Sequence, residues 1–150
     1  MRILKAEMDD LPAILSLQKL AYQSEAELVG DFTIPPLTQT LDGMVDDFNG
    51  GTILKAVEED NPAEVIGSVR GRFLDGTLHI GRLIVHPSYQ NRGIGTALLL
   101  SIEALYPAAR YELFTSERSE RNLYLYSKNG YVEFKRERLN ENTSIVFLEK

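Results

Sequence analysis

Cysteine is absent from the 150 residues. That removes disulfides, thiolate metal sites and a cysteine nucleophile together, and no metal site is expected. No apolar run approaches the ~18 residues that a membrane span requires, so no membrane partner is expected. The N-terminus, MRILKAEMDD, carries no apolar stretch after its arginine, so no secretory signal is expected either. With no thiols to oxidise, the chain is compatible with a reducing compartment, and a cytoplasmic location is the expectation. Basic residues are the minority, 16 Lys and Arg against 22 Asp and Glu, for a formal net charge of −6. Such a balance argues against general nucleic-acid affinity.

What remains is ordinary for a globular protein: 43% hydrophobic and 25% charged residues. The length suits one domain, 1–150, with a core of its own. Arg2 to Ala6 reads as a first strand. Asp9 or Asp10 can cap a helix with Pro12 in its first turn, and Leu11, Ile14, Leu15, Leu17 and Leu20 form its stripe. From Gln23 to Leu37 the periodicity breaks, and a long connector is expected. Thr38 can cap a second helix carrying Leu41, Met44, Val45 and Phe48, which Asn49-Gly50-Gly51 stops. Three strands follow, Thr52 to Glu58, Glu64 to Leu74 and Thr77 to Val85. The last two are joined by Asp75-Gly76, a strong hairpin signal.

The stretch after Val85 organises the chain. His86-Pro87-Ser88 ends a strand, because proline cannot extend a ladder. Gln90-Asn91-Arg92-Gly93-Ile94-Gly95 follows, and from Thr96 an apolar helix begins with Leu98, Leu99, Ile102 and Leu105. Glycines at a helix mouth expose backbone N–H groups that lack intrahelical partners at the positive end of the helix dipole. Such a turn suits a phosphate, although two glycines could also serve only to turn the chain. The P-loop lysine is missing. A Rossmann fingerprint would need a small residue where Leu98 stands. Beyond the helix come a strand from Arg110 to Thr115 and a helix from Ser119 to Asn129, with Leu123, Tyr126 and Tyr124 as inward candidates. Gly130 then stands at a left-handed C′ position, followed by a hairpin of Tyr131 to Glu137 and Ser144 to Glu149.

The loop Q-x-x-G-x-G after a strand ending in V-x-P resembles the signature of the GNAT superfamily of acetyl-CoA-dependent N-acetyltransferases. Leu125-Tyr126-Ser127-Lys128-Asn129-Gly130-Tyr131 is similar to that family's second motif. The resemblance implies an α/β fold of α+β type: a mixed, mostly antiparallel sheet of about seven strands flanked by four helices, in the order β-α-α-β-β-β-α-β-α-β-β. It implies an enzyme that moves the acetyl group of acetyl-CoA to a primary amine of a small molecule or peptide, by direct attack in a ternary complex. The alternative is a non-catalytic acyl-CoA sensor or interaction protein that keeps the fold.

By similarity, Gln90, Asn91, Arg92, Gly93, Ile94, Gly95 and Thr96 would hold the coenzyme A pyrophosphate. The edge of Leu83, Ile84 and Val85 would pair with the pantetheine arm and supply an oxyanion donor. Tyr126 would be the general acid at the sulfur. His79 falls near the position where some members carry a basic glutamate. Its unperturbed pKa of about 6.5 suits a base, and strand alternation would put 79, 81, 83 and 85 on one face. A water or an acid from the 23–37 segment could serve instead. The family's asparagine seven residues before the motif tyrosine is replaced by Ser119, with Asn122 one helical turn on. Glu25, Glu27 and Asp31 would line the acceptor pocket and suit a cationic amine. Many GNAT proteins are dimers, and the final hairpin could pair across a homodimer.

Overall fold

Alternating apolar strands dictate one sheet with two faces to cover. The computed structural model describes all residues, Met1–Lys150. Seven strands, β1 (Arg2–Lys5), β2 (Thr52–Glu58), β3 (Asn61–Leu74), β4 (Thr77–Val85), β5 (Arg110–Ser116), β6 (Val132–Asn140) and β7 (Thr143–Glu149), lie in the order β1-β2-β3-β4-β5-β7-β6. Every neighbouring pair is antiparallel except β4 and β5, which are parallel. The helices are α1 (Leu11–Ala21), α2 (Gln23–Val29), α3 (Pro35–Thr38), α4 (Leu41–Gly50), α5 (Ile94–Ala104) and α6 (Glu120–Lys128).

The two faces bury separate cores. Leu54, Ile66, Val69, Leu78 and Ile80 pack with Leu98, Leu99 and Ile102 of α5. On the other face, Ile53, Val65 and Ile84 pack with Leu11 and Ile14 of α1 and Met44 of α4. Each fully buried Leu or Ile contributes roughly 1.5–3 kcal/mol of transfer free energy. Asp75 and Gly76 both take positive φ, 50° and 81°, at the tight β3–β4 turn. This is the conformation that an Asp-Gly pair favours in a hairpin.

β4 carries one residue more than its partner. Ser68 faces Ile84 and Arg70 faces Gly81, so one intervening residue of β3 opposes two of β4. Arg82, at φ +48°, is a residue of this bulge. A bulge reverses the parity of side chains beyond it. Leu78 and Ile80 join the α5 core, but beyond the bulge it is Leu83 and Val85 that pack against that core, while Ile84 joins the α1 core. The expected common face for 79, 81, 83 and 85 is therefore corrected. His79 and Gly81 look to the α4 side with Asp47, and Leu83 and Val85 look to the other.

The parallel pairing of β4 with β5 stops early, at His79 opposite Glu112. Beyond it the two strands diverge, while β5 stays paired with β7 from Glu112 to Ser116. Arg110 clamps the closed end. Its Nε donates to Glu149 and its Nη1 to Glu112, both at 2.7 Å.

The helical half differs from the expectation in several places: α5 begins at Ile94 rather than Thr96, and Asp10 precedes α1 without a side-chain cap. Residues 23–38 hold two short helices, not a loop, so the chain has six helices where four were expected. α2 buries only Ala26 and ends at Gly30, φ +70°. A single small apolar residue leaves no stripe to read. Thr40, not Thr38, caps α4, its hydroxyl accepting from the Gly43 N–H at 3.1 Å. Tyr124 is 70% exposed and faces solvent.

At Gly51 a Cβ would lie 2.3 Å from the Gly71 carbonyl oxygen, a backbone atom that cannot step aside. Gly51→Ala should cost about 1–3 kcal/mol. An unchanged urea midpoint would contradict this packing.

Candidate functional site

Where β4 and β5 part, β4 has a free edge. The His86 N–H donates to Ile66 on β3 at 2.8 Å. Alternation then turns the N–H and C=O groups of Leu83 and Val85 toward the open side, and those of Ile84 toward β3. Ile84 thus buries its side chain under α1 and offers no backbone to the cleft. Leu83 and Val85 carry the exposed edge.

At the end of that edge the chain turns into α5. The His86 ring accepts from the Ser88 N–H at 3.0 Å and shapes the Pro87–Tyr89 turn. Asn91 and Gly93 take positive φ, 64° and 81°, which curls the loop so that the helix starts abruptly. Gly93 occupies the N-cap position with no side chain to accept from the first turn. A Cβ placed there meets nothing within 4 Å, and because the first helical bond runs from the Ala97 N–H to the Gly93 carbonyl, the N–H groups of Ile94, Gly95 and Thr96 have no intrahelical partner. Arg92 lies over the Tyr89 ring at 5.0 Å, and the Gln90 side chain accepts from Arg121 of α6. Orphaned donors, a helix dipole and an adjacent guanidinium fit an anion. Gly95 differs from Gly93: a Cβ there would touch Leu125 at an ordinary 3.5 Å.

Within the cleft is a cavity of about 130 Å³, bordered by Tyr22, Glu25, Arg82, Leu83, Asn122 and Tyr126. Tyr126 is 5% exposed. Burial, with Tyr22 and Glu25 close by, raises its pKa well above the usual tyrosine range. Its hydroxyl thus stays protonated and makes no hydrogen bond to the protein, so it is a donor aimed into the cleft. Its ring packs against Tyr131 at 6.0 Å between centroids.

Glu25 is held at the mouth of α6. It accepts from Ser119 Oγ at 2.7 Å and from Asn122 Nδ2 at 3.4 Å, and Asn122 also reaches Thr115 Oγ1 at 3.2 Å. Ser119, at 2% exposure, is therefore engaged in positioning Glu25, and Asn122 borders the cleft in its place. Glu27 and Asp31 line neither cavity. Asp31 turns back on its own loop, accepting from the Thr33 N–H and hydroxyl at 2.7 and 2.5 Å, and these bonds hold its pKa low.

His79 opens on a second cavity of about 420 Å³ on the α4 side, with Asp47, Arg70, Arg72 and Glu112. Its Nδ1 lies 3.6 Å from Glu112 Oε2. It does not share the cavity of Tyr126. Two cleft residues, Tyr22 and Arg82, carry little signal in the sequence. Tyr22 ended a helical stripe, and Arg82 was hidden inside an apolar strand, where an arginine after a glycine is the only visible sign.

Residues 49–133 match the family model described as the acetyltransferase (GNAT) domain. That is more than half of the chain, and the chain belongs to the GNAT acetyltransferase family. No curated protein matches it by sequence. Solved structures share the fold at low identity. PaiA N-acetyltransferase from Thermoplasma acidophilum, solved in complex with coenzyme A, is 16% identical over 99% of this chain and 98% of its own, with a TM-score of 0.77. Ribosomal-protein-alanine N-acetyltransferase from Brucella melitensis is 17% identical over 100% and 99%, with a TM-score of 0.75. Aminoglycoside 6'-N-acetyltransferase, also complexed with coenzyme A, is 16% identical over 100% and 96%, with a TM-score of 0.76.

Removing the Ser119 hydroxyl leaves a partly buried carboxylate short of a donor. Ser119→Ala should lower stability by about 1–3 kcal/mol, measured by denaturant unfolding. No change would mean that Glu25 is solvated in place.

Proposed function

We propose that residues 1–150 form a single N-acetyltransferase domain that uses acetyl-CoA to acetylate a primary amine. One observation carries this reading. The β4 edge that parts from β5 at Leu83 lies beside the unpartnered Tyr126 hydroxyl and leads on into the uncapped N-terminus of α5. Family membership supports the transferase class, and the coenzyme A complexes of the structural neighbours support the cofactor.

Acetyl-CoA would supply an acetyl group activated as a thioester. The N–H groups of Ile94, Gly95 and Thr96, with Arg92, would hold its pyrophosphate. The edge at Leu83 and Val85 would take the pantetheine arm as an added strand, and an N–H of that edge would donate to the developing oxyanion. Tyr126 would donate its proton to the departing sulfur as the C–N bond forms and the C–S bond breaks. The amine's proton would pass to Glu25, the acid from the 23–37 segment that lies beside Tyr126, and return through solvent to the tyrosine. His79, expected as the base, sits with Glu112 in the neighbouring cavity and takes no part in this scheme. Neither a metal nor a covalent enzyme intermediate is needed.

Calorimetry with coenzyme A should show binding, and Gly93→Asp should weaken it through charge repulsion at the helix mouth. Unaltered affinity would remove the pyrophosphate from this loop. Tyr126→Phe should lower kcat by about 10²-fold or more with coenzyme A affinity preserved, and an unchanged kcat would dismiss Tyr126 as the acid. Binding without release of free thiol across an amine panel would favour the non-catalytic sensor.

A further inference from the structure

Arg82 is an arginine without a counter-ion. It borders both cavities, at the bulge that separates them. Its Nε is buried and has no hydrogen-bond partner. No carboxylate of the chain lies within the 4.0 Å that defines an ion pair. The contrast is Arg70, also on the α4-side face of the sheet, which donates to Asp47, to Gln18 and to Gln39. Its charge is neutralised and its donors are filled. Beside Arg82 is the hydroxyl of the half-buried Tyr22. Burial raises that hydroxyl's pKa, and both the charge of Arg82 and its side-chain hydrogen bond to Tyr22 work against the rise.

An arginine that borders a cavity and forms no ion pair is complementary to a planar, bidentate acceptor. Glu25 lines the same cavity of about 130 Å³. One fixed positive and one fixed negative group in so small a space match a zwitterion better than a polycation. Much of the remaining lining is apolar, including Val29, Ile34 and Ile145. Arg72, on the adjoining cavity, adds positive charge on the approach.

We propose that Arg82 receives the carboxylate of the acceptor, and that the acceptor is a free α-amino acid with an apolar side chain, its amine turned toward Glu25 and Tyr126. The assignment rests on the N-acetyltransferase reading above. It replaces the expectation of a cationic amine, since Glu27 and Asp31 lie outside the cleft.

The test compares N-acetyl-L-leucine with N-isopentylacetamide, which has the same body without the carboxylate, by calorimetry on the full chain saturated with coenzyme A. The wild type should bind the carboxylated compound tighter by about tenfold or more. Arg82→Gly should abolish the preference. Glycine takes the positive φ without strain, so the guanidinium is deleted while the bulge is kept, and an unchanged melting temperature would verify this. Arg82→Lys should retain part of the preference. Equal affinities in the wild type, no binding of N-acetyl-L-leucine, or a preference that survives Arg82→Gly would each overturn the proposal. Tighter binding of N-acetyl-leucyl-glycine would move the carboxylate to a peptide terminus and overturn the free amino acid. Coenzyme A binding is read separately. A chain that binds coenzyme A and shows no carboxylate preference keeps the transferase reading and loses this one.

Discussion

One extra residue in β4 governs the rest of the site. The bulge at Arg82 bends β4 and reverses its side-chain parity. Pairing with β5 ends just before it, at His79. The released edge of Leu83 and Val85 then leads directly into the loop and the bare N-terminus of α5. Groove, edge and anion cradle thus follow from one local departure from regular geometry. The bulge also supplies the arginine that stands between the two cavities.

Around this departure the charges divide their work. The chain is acidic as a whole, yet β3 and β4 bring Arg70, Arg72 and Arg82 to the α4-side cavity. Distant carboxylates are screened within about 10 Å at ordinary salt, so the local set decides what the groove attracts. Asp47 fixes Arg70 as scaffold, and Ser119 fixes Glu25. Positioned groups beside an unpaired one are what a binding site requires.

Much of this was legible in the sequence for identifiable reasons. Both ends of β4 are legible because proline and an Asp-Gly turn bracket an apolar run. The turn from Gln90 to Gly93, the C′ glycine at 130 (φ +94°) and inward-facing Tyr126 are legible from local chemistry and motif spacing, although the helix starts at Ile94, two residues before the expected Thr96. What the sequence does not show is non-local. A bulge leaves no mark on composition, so alternation carried His79 onto the wrong side of the strand. α2 holds one buried alanine and gives no periodicity. Ser119 looked like a lost contact because its partner, Glu25, lies far away in sequence.

The seam between β4 and β5 has a mechanical meaning. Only three residue pairs join the strands, Thr77 to Arg110, Leu78 to Tyr111 and His79 to Glu112, all at one end, and the Arg110 clamp lies there too. The sheet is therefore two hydrogen-bonded blades joined along a short seam, like a peg with its spring at the back. Flexing at that seam would change the width of the jaw without breaking a ladder inside either blade. Tolerance for acceptors of different girth would then depend on the stiffness of residues that no acceptor touches.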